Sequence, residues 1–187
     1  MFADIVNFTA VAAALPADVV VTMLNRLFQA FDDMVDRRGL EKIKTIGDAY
    51  MVAGGLDDRG DGAAAISDLG LEMLALVRDE RHRDGVTLDL RVGIHTGPLV
   101  AGVIGKRKFS YDVWGDTVNT ASRLTDASEP GRILISASTA ASLGQRWRLE
   151  PCGPIDLKGI GHVPAYFLLG HSDAAEATSI RDLLTSR

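Results

Sequence analysis

The sequence predicts an α+β domain: a ferredoxin-like βαββαβ core with a mostly antiparallel sheet and additional C-terminal α/β elements. Three observations carry this expectation. Short apolar runs of strand character alternate with two long stretches of helical periodicity. A two-residue loop, Gly47-Asp48, joins two of the strands as a hairpin. No repeat, low-complexity tract or linker divides the 187 residues, a length that suits one domain with a full core.

Residues 2–6 read as the end of a buried strand whose front half is missing, so the chain is expected to be a piece of a longer protein, with anchors or regulatory domains outside it. Asp4 is the only charge in that run, and an ionised carboxylate in an apolar strand is costly unless it is paired or metal-bound. Thr9 is placed to cap a short helix through Leu15, whose start offers free backbone N–H groups to an anion. Residues 16–38 form the clearest helix. Pro16 suits the first helical position, Asp18 the first turn, and Gly39 the stop. Val20, Met23, Leu24, Leu27, Phe28, Phe31, Met34 and Val35 make one apolar stripe, read as core.

The hairpin strands, 41–46 and 49–53, come next. Asp48 sits at the tip, where a carboxylate can meet a ligand. Lys42 and Lys44 alternate with Ile43, so both are expected on one face. On these residues alone, a turn-forming Asp48 and solvated lysines are the plainer reading. After an acidic, glycine-bearing loop, residues 63–81 read as a second helix with Ile66, Leu69, Met73, Leu76 and Val77 inward and His82 and Arg83 at a solvated end. Residues 87–96 alternate strictly. Leu88, Leu90, Val92 and Ile94 face the core, which holds Arg91 and Gly93 on the other face; His95, without partners at ligand spacing, is read as structural. Residues 99–104 read as a buried strand, Lys106-Arg107-Lys108 as a basic turn, and 109–114 as a strand carrying Asp112 among aromatic and apolar residues.

Asp116 is placed to cap a helix to about Ser128, with Val118, Ala121 and Leu124 on the core side. On it, Asn119 and Arg123 are i and i+4 and share a face, either a solvated surface or a site for an oxygen-rich ligand. A strand at 131–136, a short helix at 137–144 and two short strands, 147–149 and 154–157, around a bend follow. Lys158, in Lys-Gly-Ile-Gly, stands on a mobile loop suited to reaching a phosphate. Residues 165–169 close the fold. Residues 171–187 read as a frayed tail, with a short helix at 180–184. The helices are expected on one face of the sheet.

With 20 basic and 25 acidic residues the net charge is −5, which argues against broad nucleic-acid binding. One cysteine, Cys152, excludes an internal disulfide framework and fits a reducing compartment. No apolar run approaches the roughly 20 residues of a membrane span, and no signal-peptide pattern is present. The expected location is cytoplasmic, either free or as the cytoplasmic part of a larger membrane protein.

Two isolated carboxylates, Asp4 and Asp48, suit Mg²⁺ or Mn²⁺. Three cations, Arg91, Arg123 and Lys158, suit a polyphosphate. Together they are what phosphoryl or nucleotidyl transfer demands: positioning and charge neutralisation. The stretches around Asp4 (FADIVNFT), Asp48 (KIKTIGDAYM), Arg91 (RVGIHTG) and Asn119 (YDVWGDTVNTASR) resemble the class III adenylate/guanylate cyclase catalytic domain of the bacterial, adenylate-forming type, and DLKGIG resembles its C-terminal lysine loop. The likeness covers residues 1–170, the expected catalytic domain.

This resemblance implies roles position by position. Asp4 and Asp48, with the Ile5 carbonyl, would hold two divalent cations. Amides around Phe8 and Thr9 would cradle the β- and γ-phosphates, Arg91 would meet a phosphate, and Lys158 would hold the terminal phosphates. Lys44 and Asp112 would read the purine, with a backbone contact from Val113. Asn119 would position the ribose, and Arg123 would stabilise charge at the α-phosphate. In the family the site is shared between two chains; this chain carries both halves, which implies a homodimer with two complete sites. The implied reaction is ATP to 3′,5′-cyclic AMP and pyrophosphate. A guanylate cyclase and a catalytically silent ATP-binding module are the alternatives. A diguanylate cyclase would need a Gly-Gly-Asp/Glu-Glu-Phe hairpin, and this hairpin reads Ile46-Gly47-Asp48-Ala49.

Overall fold

The structure, a computed structural model, describes residues 1–56, 61–80, 87–105 and 109–172. In chain order the elements are β1 (Phe2–Ile5), α1 (Phe8–Ala14), α2 (Ala17–Arg37), β2 (Glu41–Ile46), β3 (Ala49–Ala53), α3 (Gly62–Asp79), β4 (Leu90–Ile94), β5 (Val100–Ile104), β6 (Ser110–Trp114), α4 (Asp116–Ala127), β7 (Ile133–Ser136), α5 (Ala137–Leu143), a 3₁₀ turn (Gly144–Arg146), β8 (Trp147–Leu157) and β9 (Gly161–His171). Seven strands form one sheet in the order β2-β3-β1-β4-β7-β9-β8. Every neighbouring pair is antiparallel except β4 with β7. Its first four strands, with α2 and α3, are the expected βαββαβ core.

Alternation along the central strands gives the sheet two buried faces. Ala3, Tyr50, Val52, Leu90 and Val92 face α2 and α3 and meet Met23, Leu27, Phe31, Leu69 and Met73 in the main core. Phe31 and Tyr50 are fully buried and meet edge to face at 5.4 Å. The expected stripe of α2 lies in or against this core from Met23 to Val35, and Val20 is buried as well. Phe2 and Met51 point the other way, to Ala121 of α4 and Val113 of β6. The helices are therefore not confined to one face, because the apolar side of α4 covers the second. The close approach needs Gly93 of β4, where a Cβ would stand 2.2 Å from the Thr125 nitrogen and 2.6 Å from the Ala121 oxygen.

Other departures have local causes. Helix α1 starts at Phe8, after Asn7 in the left-handed region (φ 54°), so Thr9 lies inside the first turn rather than capping it. Pro16 precedes α2 with extended ψ, and Gly115, not Asp116, precedes α4. The strand expected at 99–104 is not buried: β5 and β6 form a separate two-stranded ribbon, with Val100, Val103 and Ile104 each at least 60% exposed. The two short strands expected around a bend are one strand, β8; as an edge strand it absorbs Pro151 and Gly153 at register shifts. The expectations for His82, Arg83, the basic turn at 106–108 and the tail beyond 172 lie outside the described residues.

Candidate active site

Strand register brings the first group of candidates together. Asp4 of β1 lies opposite Ala49, the residue after Asp48, on one side and opposite Arg91 of β4 on the other. The Arg91 Nε and Nη2 donate to Asp4 Oδ2 at 2.9 and 2.6 Å, and its Nη1 donates to the Asp126 carbonyl at 3.1 Å. Asp48 crowns the hairpin as expected: Gly47 takes a positive φ of 62° and Ile46 pairs directly with Ala49. Burial raises the Asp48 carboxyl above the usual carboxylate range, and the charge of Asp4 pushes the same way, while its own backbone N–H and the more distant Arg91 oppose. Ile5, the residue after Asp4, is buried in the main core.

The second group gathers on the α4 side of β2. The Lys44 ammonium donates to Asp112 Oδ2 of β6, and Asp112 Oδ1 accepts the Val113 N–H at 2.9 Å. The bond from Lys44 is the main reason the Asp112 carboxyl lies below its usual range. Val113 is buried against Phe2, Met51 and Ala121. A fixed donor and a fixed acceptor thus stand side by side above an apolar floor.

The expectation that Lys42 shares this face with Lys44 is overturned. Lys42 pairs with Val52 and Lys44 with Met51, so β2 carries a bulge at Ile43. A bulge adds one residue and reverses the alternation beyond it. Lys42 consequently reaches α2 and bonds both Asp32 oxygens, at 2.5 and 2.7 Å.

The remaining candidates are more dispersed. Arg123, on α4, donates to Asp126 Oδ2 at 3.2 Å. Asp126 thereby joins the two arginines, its carboxylate holding Arg123 and its carbonyl holding Arg91; its i+3 spacing from Arg123 was the available sequence signal. Asn119 is exposed one turn before Arg123. Phe8 and Thr9 open α1, where the intrahelical bonds begin only at the Ala10 and Val11 amides. Lys158 is exposed on the tight turn between β8 and β9, closed by Ile160 N–H to the Leu157 carbonyl at 2.9 Å. Among the described residues neither Asn119 nor Lys158 bonds to either group. His95, read from the sequence as structural, places its Nδ1 2.8 Å from Ser136 Oγ.

The donor set fits a divalent cation. No cluster of three or more His, Cys, Asp or Glu occurs among the described residues. Two carboxylates and a carbonyl suit a hard cation that keeps its other positions for water and phosphate oxygens. The raised Asp48 carboxyl has a thermal signature. A carboxyl held above its unfolded value favours folding at low pH, and that advantage is lost as pH rises through the folded value. Without divalent ions, Asp48→Asn is therefore expected to melt above the parent at neutral pH, with the gap closing in acid below about pH 4. Mn²⁺ should raise the parent's melting temperature and leave the variant's nearly unchanged; a variant that melts lower at neutral pH, or gains as much from Mn²⁺, would remove Asp48 from a cation site.

Residues 1–170 match the family described as the Adenylate and Guanylate cyclase catalytic domain. Over 183 residues the chain is 43% identical to an adenylate cyclase of Mycobacterium tuberculosis, an alignment covering 97% of this chain and 41% of that protein. The chain thus spans about two-fifths of that relative's length. The guanylate cyclase domain of RhGC from Catenaria anguillulae, solved in complex with GTP, superposes with a TM-score of 0.87 at 31% identity, covering 91% of this chain and 94% of that one. The adenylyl cyclase CyaB from P. aeruginosa superposes at 0.84 with 30% identity, covering 92% and 93%.

Proposed function

The chain belongs to the adenylate and guanylate cyclase catalytic domain family, and from that premise we propose that it converts ATP to 3′,5′-cyclic AMP and pyrophosphate at a site shared between two copies. The observation that carries the choice of ATP is the Lys44–Asp112 pair. Adenine offers an acceptor at N1 and a donor at N6; Lys44 donates and Asp112 accepts. Guanine offers N1–H and O6, which this pair would meet with like against like. A mispaired polar group in such a pocket costs about 1–3 kcal/mol. The guanylate cyclase neighbours keep GTP as the competing substrate, and Lys44 is the residue that argues against it.

The reaction closes the ribose onto its own phosphate. The 3′-oxygen attacks the α-phosphorus in line, its proton is lost, and the bond to pyrophosphate breaks. Asp4 and Asp48, with the Ile5 carbonyl, would hold two divalent cations, Mg²⁺ or Mn²⁺, which would supply acidification of the 3′-hydroxyl and charge neutralisation at the leaving group. Arg91 turns from Asp4 to a phosphate oxygen, the first amides of α1 at Phe8 and Thr9 take the β- and γ-phosphates, and Lys158 takes the terminal ones. Val113 gives the base a backbone contact, Asn119 orients the ribose, and Arg123 meets the charge growing at the α-phosphate. No side chain is assigned as general base.

One copy supplies Asp4, Asp48 and Arg91; the other supplies Lys44, Asp112, Asn119, Arg123 and Lys158. The exposed apolar ribbon of β5 and β6, with Val100, Val103, Ile104 and Phe109, offers a surface for this association. No helix among the described residues is long and apolar enough to cross a membrane. We propose a cytoplasmic location, either free or as the cytoplasmic part of a larger membrane protein.

Base reading is tested by Lys44→Glu combined with Asp112→Asn, which presents an acceptor to N1–H and a donor to O6. The ratio of kcat/KM for ATP over GTP should fall by roughly 10²-fold, about 1.4 kcal/mol for each tenfold. An unchanged ratio would mean that the two residues do not read the base.

A further inference from the structure

The Asp32 carboxylate is bonded by donors from two strands. The Lys42 ammonium of β2 reaches both its oxygens, and the Tyr50 hydroxyl of β3 donates to Oδ1. Tyr50 is fully buried, and the Lys42 ammonium also lies 5.0 Å from its ring centroid. Asp32 belongs to α2, so this cluster ties the helix to both strands of the hairpin on the face opposite Asp112. The sequence pattern singled out Lys42, and the proposed reaction makes no use of it.

The cluster coincides with the bulge at Ile43. Nearer the turn, Lys44 faces Met51, Thr45 faces Tyr50 and Ile46 faces Ala49; beyond the bulge, Lys42 faces Val52 and Glu41 faces Ala53. An unbroken ladder would put Ile43 opposite Val52, on the α2 side, and Lys42 opposite Ala53. The bulge instead brings Lys42 to α2 and leaves Ile43 on the α4 side. There Ile43 packs with Phe2, Met51 and Val113, beside the Lys44–Asp112 pair. Register is well specified only where something holds it. The hydrogen-bonded Lys42 is the polar anchor on the bulged side.

We infer that Asp32, through Lys42 and Tyr50, is a positioning residue for base recognition: it holds the β2 bulge that sets Ile43 and Lys44 together on the purine-reading face. The inference rests on the proposed base-reading role of Lys44 and deepens it. None of the three is among the residues proposed to contact the nucleotide. Their removal should therefore blur base choice rather than stop the chemistry.

The test measures kcat and KM for ATP and for GTP in Asp32→Asn, Lys42→Met, Lys42→Arg and Tyr50→Phe, beside Lys44→Glu. Tyr50→Phe removes only the hydroxyl and keeps the buried ring, so it reports even where a charge substitution prevents folding. The ATP-over-GTP ratio of kcat/KM should fall about fivefold or more in Asp32→Asn and Lys42→Met, mostly through a higher KM for ATP. Tyr50→Phe should move it in the same direction. Lys42→Arg, which can still grip the carboxylate, should restore most of the ratio. If Lys44→Glu shifts the ratio while Asp32→Asn, Lys42→Met and Tyr50→Phe leave it alone, the positioning role is wrong. If Lys44→Glu itself leaves the ratio unchanged, base reading by Lys44 has failed and takes this inference with it.

Discussion

Asp48→Ala should abolish divalent-cation-dependent turnover, by about 10³-fold or more, without lowering the melting temperature. The size follows from the role. A metal ion contributes several kcal/mol of charge stabilisation in such a reaction, and each 1.36 kcal/mol is about tenfold in rate. The fold should survive because Asp48 sits at the tip of a hairpin whose reversal is made by Gly47, and the neighbouring strands are held by the main core. Ionised Asp48 is also partly buried beside Asp4, so its loss removes a repulsion. Cyclic nucleotide production by the purified variant, with circular dichroism on the same sample, decides it. Retained activity would take Asp48 out of the metal site.

Asp4→Ala and Arg123→Ala should each be inactive alone, and mixing the two should restore activity. In a shared site, Asp4 comes from one copy and Arg123 from the other. A mixed dimer therefore has one site with both residues and one with neither. In an equal mixture half the dimers are mixed, so recovery should approach about a quarter of the parent activity. A mixture that stays inactive while its chains dimerise would contradict the shared site. Within one chain, Arg123 is bonded to Asp126 and Arg91 to Asp4, while Lys44 and Asp112 form their own pair. Asp126 is the link between the two groups, its carbonyl accepting from Arg91 and its carboxylate from Arg123.

What could be read from the chain was what short-range chemistry decides. The α2 stripe and the Gly47-Asp48 turn are local patterns, and both stand where they were expected. Asp4, Asp48, Arg91, Arg123 and Lys158 stood out as charges that suit a cation or a polyphosphate, whereas the base-reading role proposed for Lys44, Asp112 and Val113 came from the family resemblance alone. The misread features depend on distant partners. The face of Lys42 is set by Asp32, ten residues upstream, and by a bulge that strand alternation cannot register. The apolar side of α4 announces burial but not which face of the sheet it covers. The run at β5 is apolar enough for a core, yet it is paired only with β6 and stays exposed. Pro151 and Pro154 suggest a break, and edge position lets β8 continue through them. The i+3 spacing of Asp126 from Arg123 signals only one of its two bonds, because the other is made by its backbone carbonyl.

The most direct measurement is product formation by the purified chain with Mn²⁺, offered ATP and GTP in parallel over a series of protein concentrations. Cyclic AMP from ATP, with specific activity rising as the chain is concentrated, is the expected result, since a shared site exists only in the dimer. Cyclic GMP as the main product would contradict base reading by Lys44 and Asp112. No cyclic product from either nucleotide, at concentrations where the dimer is formed, would contradict the cyclase function itself.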